Sequence, residues 1–291
     1  MVRVQDGRRR LVARVAAFLL VLIPSVLISL ALISLSVPAA GRQVTAEERR
    51  EADLFVLGNA VFILYHELGH ALIDLLSLPV LGREEDAADN LASVMMIPEQ
   101  PDQMMDELVV AAADGWYLSN LWQQRNGNAE VAWWGEHSLD MQRFYSVVCL
   151  MYGSDPEGFA DLATSVNLPA ERRTACPSEY AQARTSWGRL LAPHMTPALA
   201  RAGTSSRIRV DYVPPGPDHG YVAALLHESG LVEAVARDIG TNFRLPHNLT
   251  IRFRSCGQAN AFYQSDEATV TLCYELLKFY DRLILDDIAV R

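Results

Sequence analysis

Residues 53–76 are apolar almost all round: Phe55, Val56, Leu57, Val61, Phe62, Ile63 and Leu64 lead into Leu68, Ala71, Leu72, Ile73, Leu75 and Leu76. Such a run predicts a helix, and a helix apolar on every face belongs inside a domain. Into it the chain inserts His66-Glu67-Leu68-Gly69-His70, with Ile63, Leu64, Tyr65, Ala71 and Leu72 uncharged around it. Burying two imidazoles and a carboxylate without partners is costly. The spacing of four resolves the conflict, because both imidazoles then share one helix face, one turn apart, where they can grip a single metal ion. Two neutral imidazoles suit zinc, which in a reactive centre takes a third protein ligand and keeps one position open. Glu67 sits beside His66 and reaches a metal-proximal water without being a ligand itself.

The third ligand must come from elsewhere. Asp74 lies on the same face, but it stands about 12 Å of helix rise beyond His66, too far for convergence; it reads as a helix-end or supporting residue. Ser77-Leu78-Pro79-Val80-Leu81-Gly82 breaks the helix. A returning helix then starts near Arg83 and runs through Ala92. On it Glu85 and Asp89 are one turn apart, flanked by Ala87 and Ala88, which permit close packing. Glu85 is the expected ligand, and Asp89 is expected to accept the other ring N–H of a ligand histidine. Glu84 and Asp86 read as acids favoured at a helix N-terminus by the dipole.

The N-terminus reads as an address. Arg8-Arg9-Arg10 precede an uncharged apolar stretch, residues 15–37, that closes in Pro38-Ala39-Ala40. A basic head, an apolar run and a small-residue exit describe a secretory signal, and the run is also long enough to span a bilayer. Cleaved signal and retained anchor, a route to membrane association through residues 15–37, both remain open; either way the remainder is exported. Residues 1–40 hold five Arg and one acid, Asp6, so the chain's 25 basic and 35 acidic residues become 20 and 34 downstream. A body that acidic argues against a nucleic-acid-binding surface, which would want clustered Lys and Arg. The four cysteines form no CxxC pair, which argues against a thiolate metal site. In an oxidising compartment the local pairs Cys149–Cys176 and Cys256–Cys273 are the simplest connectivity, with four buried thiols as the alternative.

Apolar residues at helical spacing recur over Gln103–Arg125 and over residues 138–152 and 179–191. Residues 201–219 form a Gly/Ser/Pro-rich junction around a short strand at 208–213. Thr250-Ile251-Arg252-Phe253 and the run from Ala268 to Cys273 read as two arms of a hairpin around a polar turn, Gln264-Ser265-Asp266-Glu267. His227-Glu228-Ser229-Gly230-Leu231 begins like the metal motif but ends in Leu, so it cannot clamp an ion. Asn248-Leu249-Thr250 fits a glycosylation acceptor. There is no Gly-rich phosphate loop, internal repeat or Ser nucleophile elbow.

The HExxH motif followed by Glu85-Asp86-Ala87-Ala88-Asp89 resembles the glutamate-type zincins, the thermolysin-like metallopeptidases, and also the Glu-x-x-Ala-Asp-x-x-Ala segment of HtpX-type membrane peptidases. The resemblance implies Zn2+ on His66, His70 and Glu85, with Asp89 behind a histidine. Asn260-Ala261-Phe262-Tyr263 is similar to the edge-strand motif on which those enzymes pair the substrate backbone, which implies substrate binding at Asn260 and Ala261; a plain structural hairpin is the other reading. His137, Arg143 and Tyr145 are candidates for the oxyanion-stabilising group of that family, His137 leading. The closest overall similarity, over most of residues 50–285, is to an uncharacterised bacterial metallopeptidase family. It rests on residues 78–86, 137–145 and 256–276. In zincins the edge strand precedes the metal helix, and here it follows, which implies a circularly permuted order.

The expected fold class is therefore α+β: a zincin-like arrangement with an active-site helix, a mainly helical region over residues 41–200, and a small antiparallel sheet from residues 201–291 whose edge hairpin packs on the metal helix. The expected activity is zinc-dependent hydrolysis of a peptide or protein substrate, with Glu67 as base and His137 as oxyanion donor. The alternative is a zinc-stabilised, non-catalytic binding module of the cell envelope.

Overall fold

The computed structural model describes residues 43–126, 133–197 and 207–291. The N-terminal apolar segment and its basic head lie outside the described residues.

The helix carrying the motif, α1 (Ala46–Leu75), starts earlier than its apolar run. Thr45 caps it: its hydroxyl accepts the Glu48 N–H at 3.2 Å, and Glu48 returns a bond to the Thr45 N–H at 2.8 Å. From Phe55 onward nearly every residue is buried, as expected of a helix at the centre of a core. It is long and apolar enough to cross a membrane, yet 83% of its most apolar window is buried inside the protein.

The next two helices, the C-terminal helices and the strands of the sheet edge wrap it. Alongside lies α3 (Gln103–Arg125), brought close because a Cβ at Gly58 would stand 2.5 Å from the Leu108 carbonyl oxygen. Against the motif itself lies α2 (Glu84–Met96), where a Cβ at Gly69 would come within 3.3 Å of Ala88. Gly69, between the two histidines, and Ala88, three residues after Glu85, thus set the approach of the two helices. Next, α4 (Asp140–Ser154) packs on α3 and on α6 (Ala170–Leu191), with short α5 (Ala160–Ser165) between them. Cys149 on α4 is bonded to Cys176 on α6. Helix α6 begins well before residue 179, where its apolar spacing starts; it continues through Pro177, and its N-terminal half is tied down by Arg173, which donates to the carbonyls of Leu168 and Ala163.

The C-terminal region alternates. Strand β1 (Ile208–Tyr212) leads through α7 (Gly220–Ser229) and α8 (Leu231–Asn242) to β2 (Leu249–Arg254); β3 (Ala261–Gln264), β4 (Thr269–Cys273) and α9 (Tyr274–Val290) follow. The sheet order is β1-β2-β4-β3. Here the expected antiparallel sheet is corrected. β1 with β2 and β2 with β4 are parallel, and only β3 with β4 is antiparallel, so the sheet is mixed. The hairpin is β3–β4 around residues 265–268, and residues 250–253 lie on β4's other side. Alternation along Leu249, Ile251 and Phe253 gives the buried face of β2 but carries no information on the direction of its partner. Cys256, in the loop leading to β3, is bonded to Cys273 at the end of β4. One continuous core joins α1, the other helices and the inner faces of β2 and β4.

The order places β3 at a sheet edge, beside α1. Tyr263 on β3 donates its hydroxyl to Asp74 near the end of α1 at 2.8 Å, which fixes the edge strand next to the motif.

Candidate metal centre

A cleft of about 270 Å³ opens between these elements. Helix α1 lines it with His66, Glu67 and His70, α2 with Glu84 and Glu85, the segment before α4 with His137, and β3 with Ala261, Phe262 and Tyr263. Asn260 is not in the lining; its carbonyl accepts the Cys273 N–H at 3.0 Å, which starts the β3–β4 pairing. Phe262 and Tyr263, side chains that the motif reading left without a role, do line the wall.

His66 Nε2, His70 Nε2 and a Glu85 carboxylate oxygen lie within 4.8 Å of one another. The Nε2 atoms are 3.2 Å apart, and Glu85 Oε2 is 3.1 Å from His66 and 3.4 Å from His70. What lies behind the rings sets their protonation. His66 Nδ1 is 2.8 Å from Asp89 Oδ1, and His70 Nδ1 is 2.8 Å from Glu84 Oε1. A carboxylate takes an N–H, so each neutral ring keeps its proton on Nδ1 and turns a lone pair on Nε2 inward. With both rings neutral, two lone pairs and a carboxylate oxygen face one point, and a cation there satisfies all three in place of the protons the rings otherwise share with Glu85.

Glu84 has a different place from the one its sequence position suggested. It is the carboxylate behind His70, because the first turn of α2 starts beside the motif and directs residue 84, as well as residue 85, toward α1. The oxyanion candidates separate too. His137 Nε2 stands 2.9 Å from Glu85 Oε2 and its ring stacks on His66 at 6.0 Å, so it reaches the cleft. Arg143 does not line it. Its guanidinium clasps both oxygens of Asp89 at 2.6 Å and lies 3.5 Å over the Trp116 ring. Tyr145 points away and donates to the Val166 carbonyl at 3.1 Å. His227, on α7, packs on the Tyr212 ring instead.

A family model described as "Putative metallopeptidase" matches residues 25–191 and 213–287. The chain belongs to this metallopeptidase family. Membership suggests a metal-dependent peptidase, and among the described residues the trio His66, His70 and Glu85 has the donor chemistry for a metal. No match was found among curated proteins or solved structures.

The cleft is electrostatically divided. Burial alone would push the His70 imidazolium down, but hydrogen bonds to Glu85 and Glu84 outweigh it and bring the metal-free group up to about 9. His66 shifts upward for the same reason, with Asp89 and Glu85 outweighing its burial. Hydrogen bonds from His137, His66 and His70 hold Glu85 well below the usual carboxylate range. Glu67 goes the other way: its burial raises it, against the pull of His66 and His70. One carboxylate is thus kept ionised beside the donors while its neighbour is tuned toward accepting a proton.

Proposed function

We propose that the protein is an exported zinc metallopeptidase of the glutamate-type zincin kind, in which Glu67 activates the attacking water. The observation that carries this reading is the convergence of His66 Nε2, His70 Nε2 and Glu85 in a cleft that Glu67, His137 and the β3 edge also line. Two imidazoles and one carboxylate with a fourth side left free suit zinc, which when bound supplies Lewis acidity to a carbonyl oxygen and to water.

The remaining work belongs to the chain's own groups. Glu67, raised by burial, takes the proton of the attacking water and returns it to the leaving amine. His137 donates from Nε2 to the carbonyl oxygen as negative charge builds there. Asp89 and Glu84 hold the two ligand rings in the tautomer that keeps Nε2 unprotonated. The substrate backbone lies along β3. Because Asn260 pairs with Cys273, the alternation of an antiparallel ladder turns the main-chain groups of Phe262 toward β4 and those of Ala261 and Tyr263 toward the open edge. A peptide adding as a further strand meets those groups, and Asn260 leads into them.

Export is supported by the two bonded cysteine pairs, which belong to an oxidising compartment, and by the signal-like residues 1–40. The permuted zincin order is supported by β3 lying beside α1 while following it in sequence. The test is Glu67→Gln. It is expected to retain zinc at wild-type stoichiometry and lose about 10²–10⁴-fold in peptide cleavage. Unchanged cleavage in that variant rejects the mechanism.

A further inference from the structure

We infer that Arg83, Asp86 and Ser138 form a clamp whose task is to position His137 over the cleft. The inference rests on the reading of His137 as the group that donates to the substrate carbonyl.

His137 lies on an irregular segment before α4, and its side chain is half exposed at 51%. Little packing fixes it: its polar contact is Glu85 and its ring contact is His66. The residue next to it is held closely. Ser138 Oγ donates to Asp86 Oδ1 at 2.7 Å and accepts from Arg83 Nη2 at 2.8 Å, while Arg83 Nε donates to Asp86 Oδ2 at 2.9 Å. The three groups close a ring in which every bond involves a charge, the stronger kind of hydrogen bond. Arg83 is the residue capping α2 and Asp86 stands in its first turn, so both flank Glu85. The clamp therefore ties the backbone carrying His137 to the same helical turn that presents Glu85. A displacement of about 1 Å at a reacting group is enough for large losses in rate, so a tie of this kind bears on turnover. Ser138 is a positioning residue, and it acts through His137.

The test compares Ser138→Ala and Ser138→Thr with the wild type, all zinc-loaded. The first readout is independent of turnover: the nuclear Overhauser contact between the His137 and His66 rings. It is expected in the wild type and Ser138→Thr and lost in Ser138→Ala, with zinc stoichiometry unchanged in all three. The second is peptide cleavage. Ser138→Ala is expected to lower kcat about tenfold with KM little changed, and to add nothing in a His137→Ala background. An intact ring contact in Ser138→Ala overturns the clamp, and so does a kcat loss that persists in full when His137 is already absent. Loss of the ring contact in a protein whose wild type cleaves no peptide upholds the clamp and rejects the peptidase reading instead.

Discussion

Arg143 holds both carboxylate oxygens of Asp89 at 2.6 Å, and the same Asp89 Oδ1 accepts a hydrogen bond from the Nδ1–H of His66 at 2.8 Å. A helix far along the chain thereby fixes the orientation of a ring of the candidate metal trio on α1. Burial pushes the Asp89 carboxyl up, but His66 and Arg143 together hold it below its ordinary range, so it stays ionised.

Arg143→Ala leaves Asp89 with its imidazole partner alone and removes the cation stacked on Trp116. Breaking a pair this buried is expected to lower stability by about 3–5 kcal/mol. Zinc affinity should also fall, on the order of 10–100-fold. Arg143→Lys should recover little, since an ammonium cannot make the two-pronged contact. Chemical denaturation and competitive chelator titration of the three proteins check both effects.

Gly69 controls how closely α2 approaches the motif. A Cβ there already meets Ala88 at 3.3 Å, so Gly69→Val forces the helices apart. The expected destabilisation is about 1–3 kcal/mol from overpacking. The weakening of zinc binding should exceed that of an equally destabilising change remote from the cleft, because Glu85 moves with α2. Chelator titration of stability-matched variants separates the two.

Metal binding should depend on pH in a defined direction. In the metal-free protein His70 titrates at about 9, raised from an ordinary value of 6.5. A raised folded-state value means that protonated His70 stabilises the metal-free fold fully below about 6.5, and that this contribution is lost as pH rises through about 9. Zinc must displace that proton, so its apparent affinity should rise steadily between those limits and binding should release protons. Calorimetry in buffers of different ionisation enthalpy measures the release; affinity that is flat across this window contradicts the assignment.

How much of this was legible in the sequence depended on whether the information was local. The motif helix, Glu85 and Asp89 follow from spacing along two consecutive helices, and the cysteine pairs from chain proximity. Glu84 reads from sequence only as a helix-terminal acid, because its direction depends on the angle between α1 and α2, which no periodicity encodes. Arg143 sits far along the chain from Asp89, and its stretch pointed to the cleft but not to the face behind it. The parallel pairing of β2 with β4 was invisible because alternation of side chains is the same for either strand direction. The first half of α6 carries few apolar residues at helical spacing, so periodicity does not mark it, and Pro177 stands inside the helix.

A side-chain bond from Tyr263 to Asp74, at 2.8 Å, tethers the edge strand to α1. Tyr263→Phe should cost roughly 1 kcal/mol in stability. Its main effect should fall on KM for peptide substrates, with zinc stoichiometry unchanged. A loss confined to kcat would argue against β3 as the surface on which the substrate lies.

The position of the metal itself is the most direct measurement. Anomalous scattering at the zinc edge from crystals of the zinc-loaded protein should give one strong peak at about 2.0–2.2 Å from His66 Nε2, His70 Nε2 and a Glu85 carboxylate oxygen. A peak away from these three atoms, or its persistence at full occupancy in Glu85→Ala, would contradict the proposed centre.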